Sequence, residues 1–478
     1  MQNLEVVIGI ENHIELKTKT KIFSPGTITF NATPNSKVHP IDMGYPGTLP
    51  ILNEKAVELA LRACKAFSMK IDPLMKFDRK NYYYSDLSKG FQITQQFHPI
   101  GKEGYLGIVD INGKEKKIEI ERLHLEEDTA KQIINQDEIY LDYNRAGIGL
   151  IEVVTKPVFT NAHDVCAYLK KIRETVLFLG VSDAKMNEGS LRCDVNISLR
   201  PVGYKELGTK VEIKNLNSIN NVERAINFEI NRQTQLISTG KEIQQETRRY
   251  DDKTRKTVLM RSKGGALDYK YFPEPNIPPI QLEKKWIENI INSNNKLPDQ
   301  IRKEYFEKFK FKEVELNQLL TEPVNVEFFE ASLKYTKKHQ LVLNYLNAEI
   351  QAFLNEKNLT ITQTQLTPEN LGNLINKLDK EEISSKQSKT ILLEMLKKEI
   401  SIDEVISKMN IKQITDVKQI KNILEPIFGQ NKKLLEEYDN RPERVNKFFM
   451  GQLMKETRGQ VSPKIGQKII EELIAKYK

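Results

Sequence analysis

Apolar and polar residues alternate from Arg192 to Arg200: Cys193, Val195, Ile197 and Leu199 fall on one side, Arg192, Asp194, Asn196, Ser198 and Arg200 on the other. Strand side chains repeat every two residues, so the pattern predicts a β-strand with a core face and a charged face. The same alternation opens the chain, where Glu11, His13 and Glu15 share a face opposite Ile10, Ile14 and Leu16. It returns at Lys210, Glu212 and Lys214, opposite Val211 and Ile213, and again over residues 117–121, which lead into Arg122-Leu123-His124-Leu125-Glu126-Glu127-Asp128. A single strand of this kind reads more readily as a solvated sheet face than as a ligand-facing one. If the strands share one sheet, Glu11, His13, Asp194, Asn196, Glu212 and Lys214 converge on a polar concavity. Carboxylates gather in such a place only when cations neutralise them, because burying unpaired charge is costly. A divalent metal with phosphate is one solution, and the repetition puts it level with the solvated face. Histidine is a less typical Mg²⁺ ligand, so His13 could instead orient or protonate a substrate.

Helical spacing follows over residues 53–69, with Val57, Leu61 and Cys64 on one face and Asn53 as N-cap, and over residues 161–179. Beyond Gly265 the glycines thin to Gly372, Gly429, Gly451, Gly459 and Gly466, and Trp286 stands near the seam. Thr367-Pro368-Glu369 starts a helix with Leu371, Leu374, Ile375 and Leu378 on one face; Ser462-Pro463 starts the last. The pattern predicts an α+β domain to about residue 290, then helices.

At 478 residues the chain has room for two or three domains. Three scattered cysteines make neither a disulfide framework nor a zinc site, and no leader-like or membrane-length apolar run is evident, so a cytoplasmic protein is expected. The net charge of +8 permits a polyanionic partner. Tyr82-Tyr83-Tyr84, beside Arg79 and Lys80, could stack bases or grip phosphate, or simply cover a sheet as part of a hairpin. There is no G-x-x-x-x-G-K-[ST], no G-x-G-x-x-G and no G-x-S-x-G. If the chain is an enzyme, its chemistry is electrostatic and metal-assisted rather than covalent.

Taken in order, these segments resemble the B-subunit family of the aspartyl/glutamyl-tRNA amidotransferases. The resemblance rests on Ile8-Gly9-Ile10-Glu11-Asn12-His13, Asp78-Arg79-Lys80-Asn81-Tyr82, Leu125-Glu126-Glu127-Asp128, Asn144-Arg145-Ala146-Gly147 and Gly189 through Asn196. It continues through Glu212 to Ser218, Glu246-Thr247-Arg248-Arg249, Asp268 to Pro275 and Gly451 to Gln460. It implies an antiparallel-rich, cradle-like sheet domain (1–290), a helical domain (291–408) and a small helical tail (409–478). The implied enzyme is a glutamine-hydrolysing amidotransferase acting as a complex with an amidase (glutaminase) A subunit and a small C subunit. In that reaction ATP phosphorylates the side-chain carboxylate of misacylated Glu-tRNA(Gln) or Asp-tRNA(Asn), and ammonia displaces the phosphate.

By the same resemblance Glu11, His13, Asp194 and Glu212 are catalytic candidates, and Glu11, His13, Glu126 and Glu127 candidate Mg²⁺ ligands. Arg79, Lys80, Arg192, Asn196 and Lys214 are candidates for binding phosphate or substrate, and Lys455, Arg458 and Lys464 in the tail for binding tRNA. The tail fits in sign, with nine Lys/Arg against four Glu over residues 441–478. The chain departs from the family's pattern at Thr129-Ala130, Gly149, Gly264, Lys270 and Asn276. Two rival readings stand beside this one: a tRNA-binding scaffold without chemistry of its own, and a free-standing ATP-dependent ammonia ligase.

Overall fold

The computed structural model describes residues 3–477 apart from 136–137, 263–267, 294, 410–413, 415, 458–459 and 462. Arg458, Gly264 and Ser462 therefore lie outside the described residues. The chain divides into two compact units, 1–300 and 301–478.

The first unit is built on a nine-stranded sheet. In chain order its strands are β1 (Leu4–Glu15), β2 (Lys70–Ile71), β3 (Gly101–Val109), β4 (Glu115–Glu127), β5 (Gly149–Thr155), β6 (Leu191–Pro201), β7 (Val211–Lys214), β8 (Glu246–Asp251) and β9 (Lys256–Ser262). Their spatial order is β9-β8-β7-β6-β1-β5-β4-β3-β2. Among the described residues of this sheet, only the β7–β8 pairing is parallel. The alternation read from the sequence is what the strands display: Ile8, Ile10 and Ile14 of β1 and Cys193, Val195 and Ile197 of β6 are buried, while Glu11, His13, Arg192, Asp194 and Asn196 are only partly so.

Helices α1 (Glu54–Ala66), α2 (Ala162–Phe178) and α3 (Ile219–Ser238) share one hydrophobic core with the apolar strand faces. Each starts on a side-chain cap, Asn53, Asn161 and Ser218, which accept the backbone N–H of Lys55, Asp164 and Asn221. Burying the apolar face is the main stabilising contribution, on the order of 1.5–3 kcal/mol for each fully buried Ile, Leu or Val. With helices on one face, the polar face is left for a site. Three short strands, Asp78–Asn81, Phe91–Thr94 and Phe272–Pro273, form a separate sheet, whose Thr94 hydroxyl reaches Glu126.

The second unit is helical. His339–Tyr345 runs through a π-turn, Leu346–Ile350, into Gln351–Lys357. Pro368–Asp379 begins at Thr367, whose hydroxyl accepts the Asn370 N–H, and buries Leu371, Leu374 and Ile375. The last helices, Val417–Gln430, Pro442–Glu456 and Pro463–Tyr477, close on a core in which the Phe428 and Phe449 rings stack at 3.9 Å. Among the described residues no helix is long and apolar enough to cross a membrane.

Candidate active site on the polar face of the sheet

Strand register decides which charges meet. Glu11 lies opposite Asp194, and His13 lies opposite Arg192 on one side and Glu152 on the other. Glu152 in turn faces His124, and Asn196 faces Glu212. Directly opposed strand residues have Cβ atoms about 4.5–5.5 Å apart, so five strands set these side chains within reach of one another. Glu11, His13, His124, Glu152, Asp194 and Glu212 line a cavity of about 290 Å³ with Glu126, Lys80, Arg122, Lys214, Tyr269 and Tyr271.

Within it stand two groups of ligand atoms. Glu11, Asp194 and Glu212 each offer an oxygen, and His13, Glu126 and Glu152 a nitrogen and two oxygens; within each group the atoms lie within 4.8 Å of one another. Opposite ligands of a Mg²⁺ ion with 2.0–2.1 Å bonds stand about 4.2 Å apart, so either group could close on a hard divalent cation with small movements. Oxygen-rich donors favour Mg²⁺, Mn²⁺ or Ca²⁺ over a soft metal.

The electrostatics follow from that crowding. Burial would raise the Glu152 carboxyl, but His124 and His13 together outweigh it and hold it well below its usual range. Burial works against charge on His124 as well, yet Glu152 and Glu126, 3.4 and 3.5 Å from its Nε2, push it up to about 9. His13, 3.3 Å from Glu152 and 3.5 Å from Glu126, is raised against its burial in the same way. Glu11 is raised by burial, then by Glu152 and Asp194, despite Lys214 and a hydrogen bond from Asn196. Lys214 is held charged in spite of burial by Asp194 at 2.5 Å and Glu212 at 3.2 Å. Two acid-rich groups side by side, with the side chains of Lys80, Lys214, Arg122 and His124 around them, suit the handling of an anionic substrate.

A sequence-family model described as the GatB/GatE catalytic domain matches residues 6–288, and one described as a GatB domain matches residues 327–474. Proteins described as the B subunit of aspartyl/glutamyl-tRNA(Asn/Gln) amidotransferase are similar over their whole length. That of Mesoplasma florum is 54% identical over 475 residues, 99% of both chains. That of Mycoplasma capricolum is 53% identical over 471 residues, 98% of both chains. That of Oceanobacillus iheyensis is 42% identical over 471 residues, 98% of this chain and 99% of the relative. The chain belongs to the B-subunit family of these amidotransferases.

Against the residues that the family resemblance singles out, the structure brings Glu11, His13, Glu126, Asp194, Glu212, Lys80 and Lys214 to one cavity. Asn196 reaches its edge, donating from Nδ2 to Glu11 at 2.8 Å. Arg192 shares the face but is tied to Asp128 at 2.7 Å. Glu127 is not brought there. Period two turns it to the opposite face of β4, where it ion-pairs with Lys89 at 2.5 Å and accepts the Ile93 N–H at 2.9 Å. Arg79 is also elsewhere: it stacks over Phe91 at 3.9 Å and grips Glu274 with two hydrogen bonds of 2.6 and 3.1 Å. Lys270 is exposed and pairs with Asp268, and Asn276 gives its N–H to Glu274. Lys455 and Lys464 are exposed on the last two helices.

Sequence reasoning missed Glu152, His124 and Arg122. Glu152 sits in an otherwise apolar strand, Leu150 to Val154; a charge in such a run requires a buried partner, and that was the available signal. His124 and Arg122 alternate with Glu126 and so had to share its face. The three tyrosines divide: Tyr82 packs edge-on against Tyr269 at 5.8 Å, whereas Tyr83 is 96% exposed.

Proposed function

We propose that this chain carries out the activation and amidation half of a tRNA-dependent amidotransferase. ATP phosphorylates the side-chain carboxylate of misacylated Glu-tRNA(Gln), Asp-tRNA(Asn) or both; ammonia then attacks the acyl carbon and phosphate leaves. The observation that supports this most is the pair of carboxylate-rich ligand groups sharing one cavity with Lys80, Lys214 and Arg122. A carboxylate is a poor electrophile until one oxygen becomes a phosphate leaving group, and bringing it to a triphosphate means bringing two anions together. Positioning and charge neutralisation, rather than a protein nucleophile, are what such a transfer requires.

His13, Glu126 and Glu152, and Glu11, Asp194 and Glu212, would hold Mg²⁺. Bound there, the ion neutralises phosphate charge as a Lewis acid. The chain's own part is preorganisation. Lys214 holds Asp194 and Glu212 in place, His124 holds Glu126 and Glu152, and Asn196 fixes the Glu11 carboxylate. Lys80, its ammonium 4.8 Å from the Tyr269 ring centre, is half-buried in the cavity wall with its charge sustained against desolvation chiefly by Glu126. It is suited to meet the substrate's anionic groups.

Ammonia has to come from elsewhere. Cys64, Cys166 and Cys193 are free and buried, and burial pushes each thiol up, which makes none of them a glutaminase nucleophile. A separate amidase A subunit, tied in by a small C subunit, would supply it. Three reduced cysteines suit a cytoplasmic setting. Exposed Lys455 and Lys464, with Arg458, would grip the tRNA backbone.

The test is reconstitution with the two partners and mischarged tRNA. The wild-type complex should form Gln-tRNA(Gln) or Asn-tRNA(Asn) only with ATP. Glu11→Ala should abolish product while glutamine hydrolysis continues; transamidation at the wild-type rate in that variant would refute the site.

A further inference from the structure

The segment Glu246-Thr247-Arg248-Arg249 carries part of the family resemblance, yet none of its residues is among those lining the acidic cavity. It opens β8, and period two divides it. Glu246 and Arg248 share one face, where they hydrogen-bond to each other at 3.0 Å and meet Arg232 and Glu229 of α3. Thr247 lies on the other face, 2% exposed.

The sheet is irregular on both sides of Thr247. Across the parallel pairing with β7 it stands opposite Glu212. Towards β9 it pairs with Arg261 whereas Arg248 pairs with Leu259, so the register slips by one residue just beyond Thr247. Bulges of this kind re-aim a side chain and recur beside active sites. Here the side chain meets a candidate ligand: the Thr247 hydroxyl donates to Oε2 of Glu212 at 2.8 Å, while the Lys214 ammonium lies 3.2 Å from Oε1.

These two holds on Glu212 are not equivalent. Lys214 is shared, since it also lies 2.5 Å from Asp194. Its charge repels a second cation, so its grip loosens as a metal ion arrives between the acids. The threonine hydroxyl is neutral. It gives its one proton to Glu212, and a carboxylate oxygen that accepts one hydrogen bond keeps a lone pair for a metal. β-Branching restricts the threonine χ1, so the donor stays where the strand puts it. A glutamate without such a partner has to be ordered at the moment of binding, at a cost in entropy.

We propose that Thr247 is a positioning residue for the all-carboxylate ligand group: it keeps the Glu212 carboxylate beside Glu11 and Asp194 after a cation has displaced Lys214. The inference rests on the reading of Glu11, Asp194 and Glu212 as a cation site. Thr247 serves Glu212 as Asn196 serves Glu11, each supplying an uncharged donor to a ligand. Outer partners of this kind set how tightly a metal is held.

The probe is Mn²⁺, titrated into the full-length chain and counted by electron paramagnetic resonance of the free ion. Two ligand groups predict two bound Mn²⁺ in the wild type. Thr247→Val keeps the β-branch and removes the donor; it should weaken one of the two by about tenfold or more and leave the other unchanged. Thr247→Ala should weaken the same one, which keeps the test independent of how well one variant folds, and Thr247→Ser should restore it. In a Glu212→Gln chain, adding Thr247→Val should cost no further affinity, because the hydroxyl acts through that carboxylate. In the reconstituted complex Thr247→Val should raise the Mg²⁺ concentration for half-maximal amide formation by a similar factor. Wild-type affinity at both ions in Thr247→Val would overturn the proposal. So would equal losses at both ions, or a serine variant no better than valine, since either makes Thr247 a structural residue only. A wild-type chain that takes up a single Mn²⁺, lost in His13→Ala and kept in Glu11→Gln, would instead remove the ligand group on which the proposal stands, before any Thr247 variant is measured.

Discussion

Two clusters of buried charge stand on the same nine-stranded sheet, and they are built on opposite principles. Around Glu229 of α3, fully buried, Arg232 donates from Nε to both carboxylate oxygens and from Nη2 to one, Gln233 and the Thr257 hydroxyl donate one hydrogen bond each, and Glu246 is held by Arg232 and Arg248. Two acids meet two arginines and the charges balance, with the Oε1 of Gln233 the atom left without a hydrogen-bond partner among the described residues. Around Glu11 and Glu152, five carboxylates crowd one cavity, Glu11 is raised by burial and then by Glu152 and Asp194, and the Nδ1 of His124, the Oδ1 of Asn196 and the Nε of Arg122 have no hydrogen-bond partner among the described residues. A charge-balanced ion cluster ties the fold together. An open, acid-rich one is left incomplete for a ligand, with stability given up for function.

Substitutions should separate the two. Glu152→Gln removes a ligand and the counter-charge of both histidines, so amide formation by the assembled complex should fall by about 10³-fold or more, while the denaturation midpoint falls less than for Glu229→Ala because histidines, unlike arginines, can shed their protons. Glu229→Ala should do the reverse. It leaves two arginines to share Glu246 alone and destabilises the fold by about 3–5 kcal/mol, read as a lower denaturation midpoint, with the activity of the remaining folded complex near normal. Glu11→Gln keeps the shape and the Asn196 contact but removes an unfavourable charge, so in chelator its midpoint should rise above the wild type although it is inactive. A lower midpoint would mean that Glu11 is a structural acid after all.

The smallest effect is one of pH. His124 is raised from its ordinary 6.5 to about 9, so its stabilising contribution is complete below pH 6.5 and is lost as pH rises through about 9. Glu11, also raised, adds a loss in the same direction from just above the ordinary carboxylate range. Denaturation midpoints in chelator should therefore decline as pH rises through the alkaline range. Mg²⁺ should flatten that decline, because binding takes His13 in its neutral form and the carboxylates ionised. An identical slope with and without Mg²⁺ would count against the ligand groups.

Much of this architecture could be read from residue spacing, and the misses have physical reasons. Period two on β1, β6 and β7 identified the polar faces carrying Glu11, His13, Asp194 and Glu212 before any pairing was known. Which faces meet depends on register, and register is a long-range property: His13 meets Glu152 only because β1 pairs with β5, well over a hundred residues away. Glu152 itself was hidden because a strand buried on both faces reads as continuously apolar. Adjacency misled in the other direction. Glu127 follows Glu126 in the chain and for that reason points away from it, and Arg79, beside Lys80, faces Glu274 instead of the cavity.

The central claim, that this cavity turns a carboxylate into an acyl phosphate, can be tested by isotope transfer. Misacylated tRNA carrying ¹⁸O in the side-chain carboxylate is amidated by the complete complex, and the released inorganic phosphate is analysed by mass. An attacking carboxylate oxygen leaves with the phosphoryl group, so each turnover should deliver one ¹⁸O to phosphate. Amide formed at the normal rate with unlabelled phosphate would contradict the account.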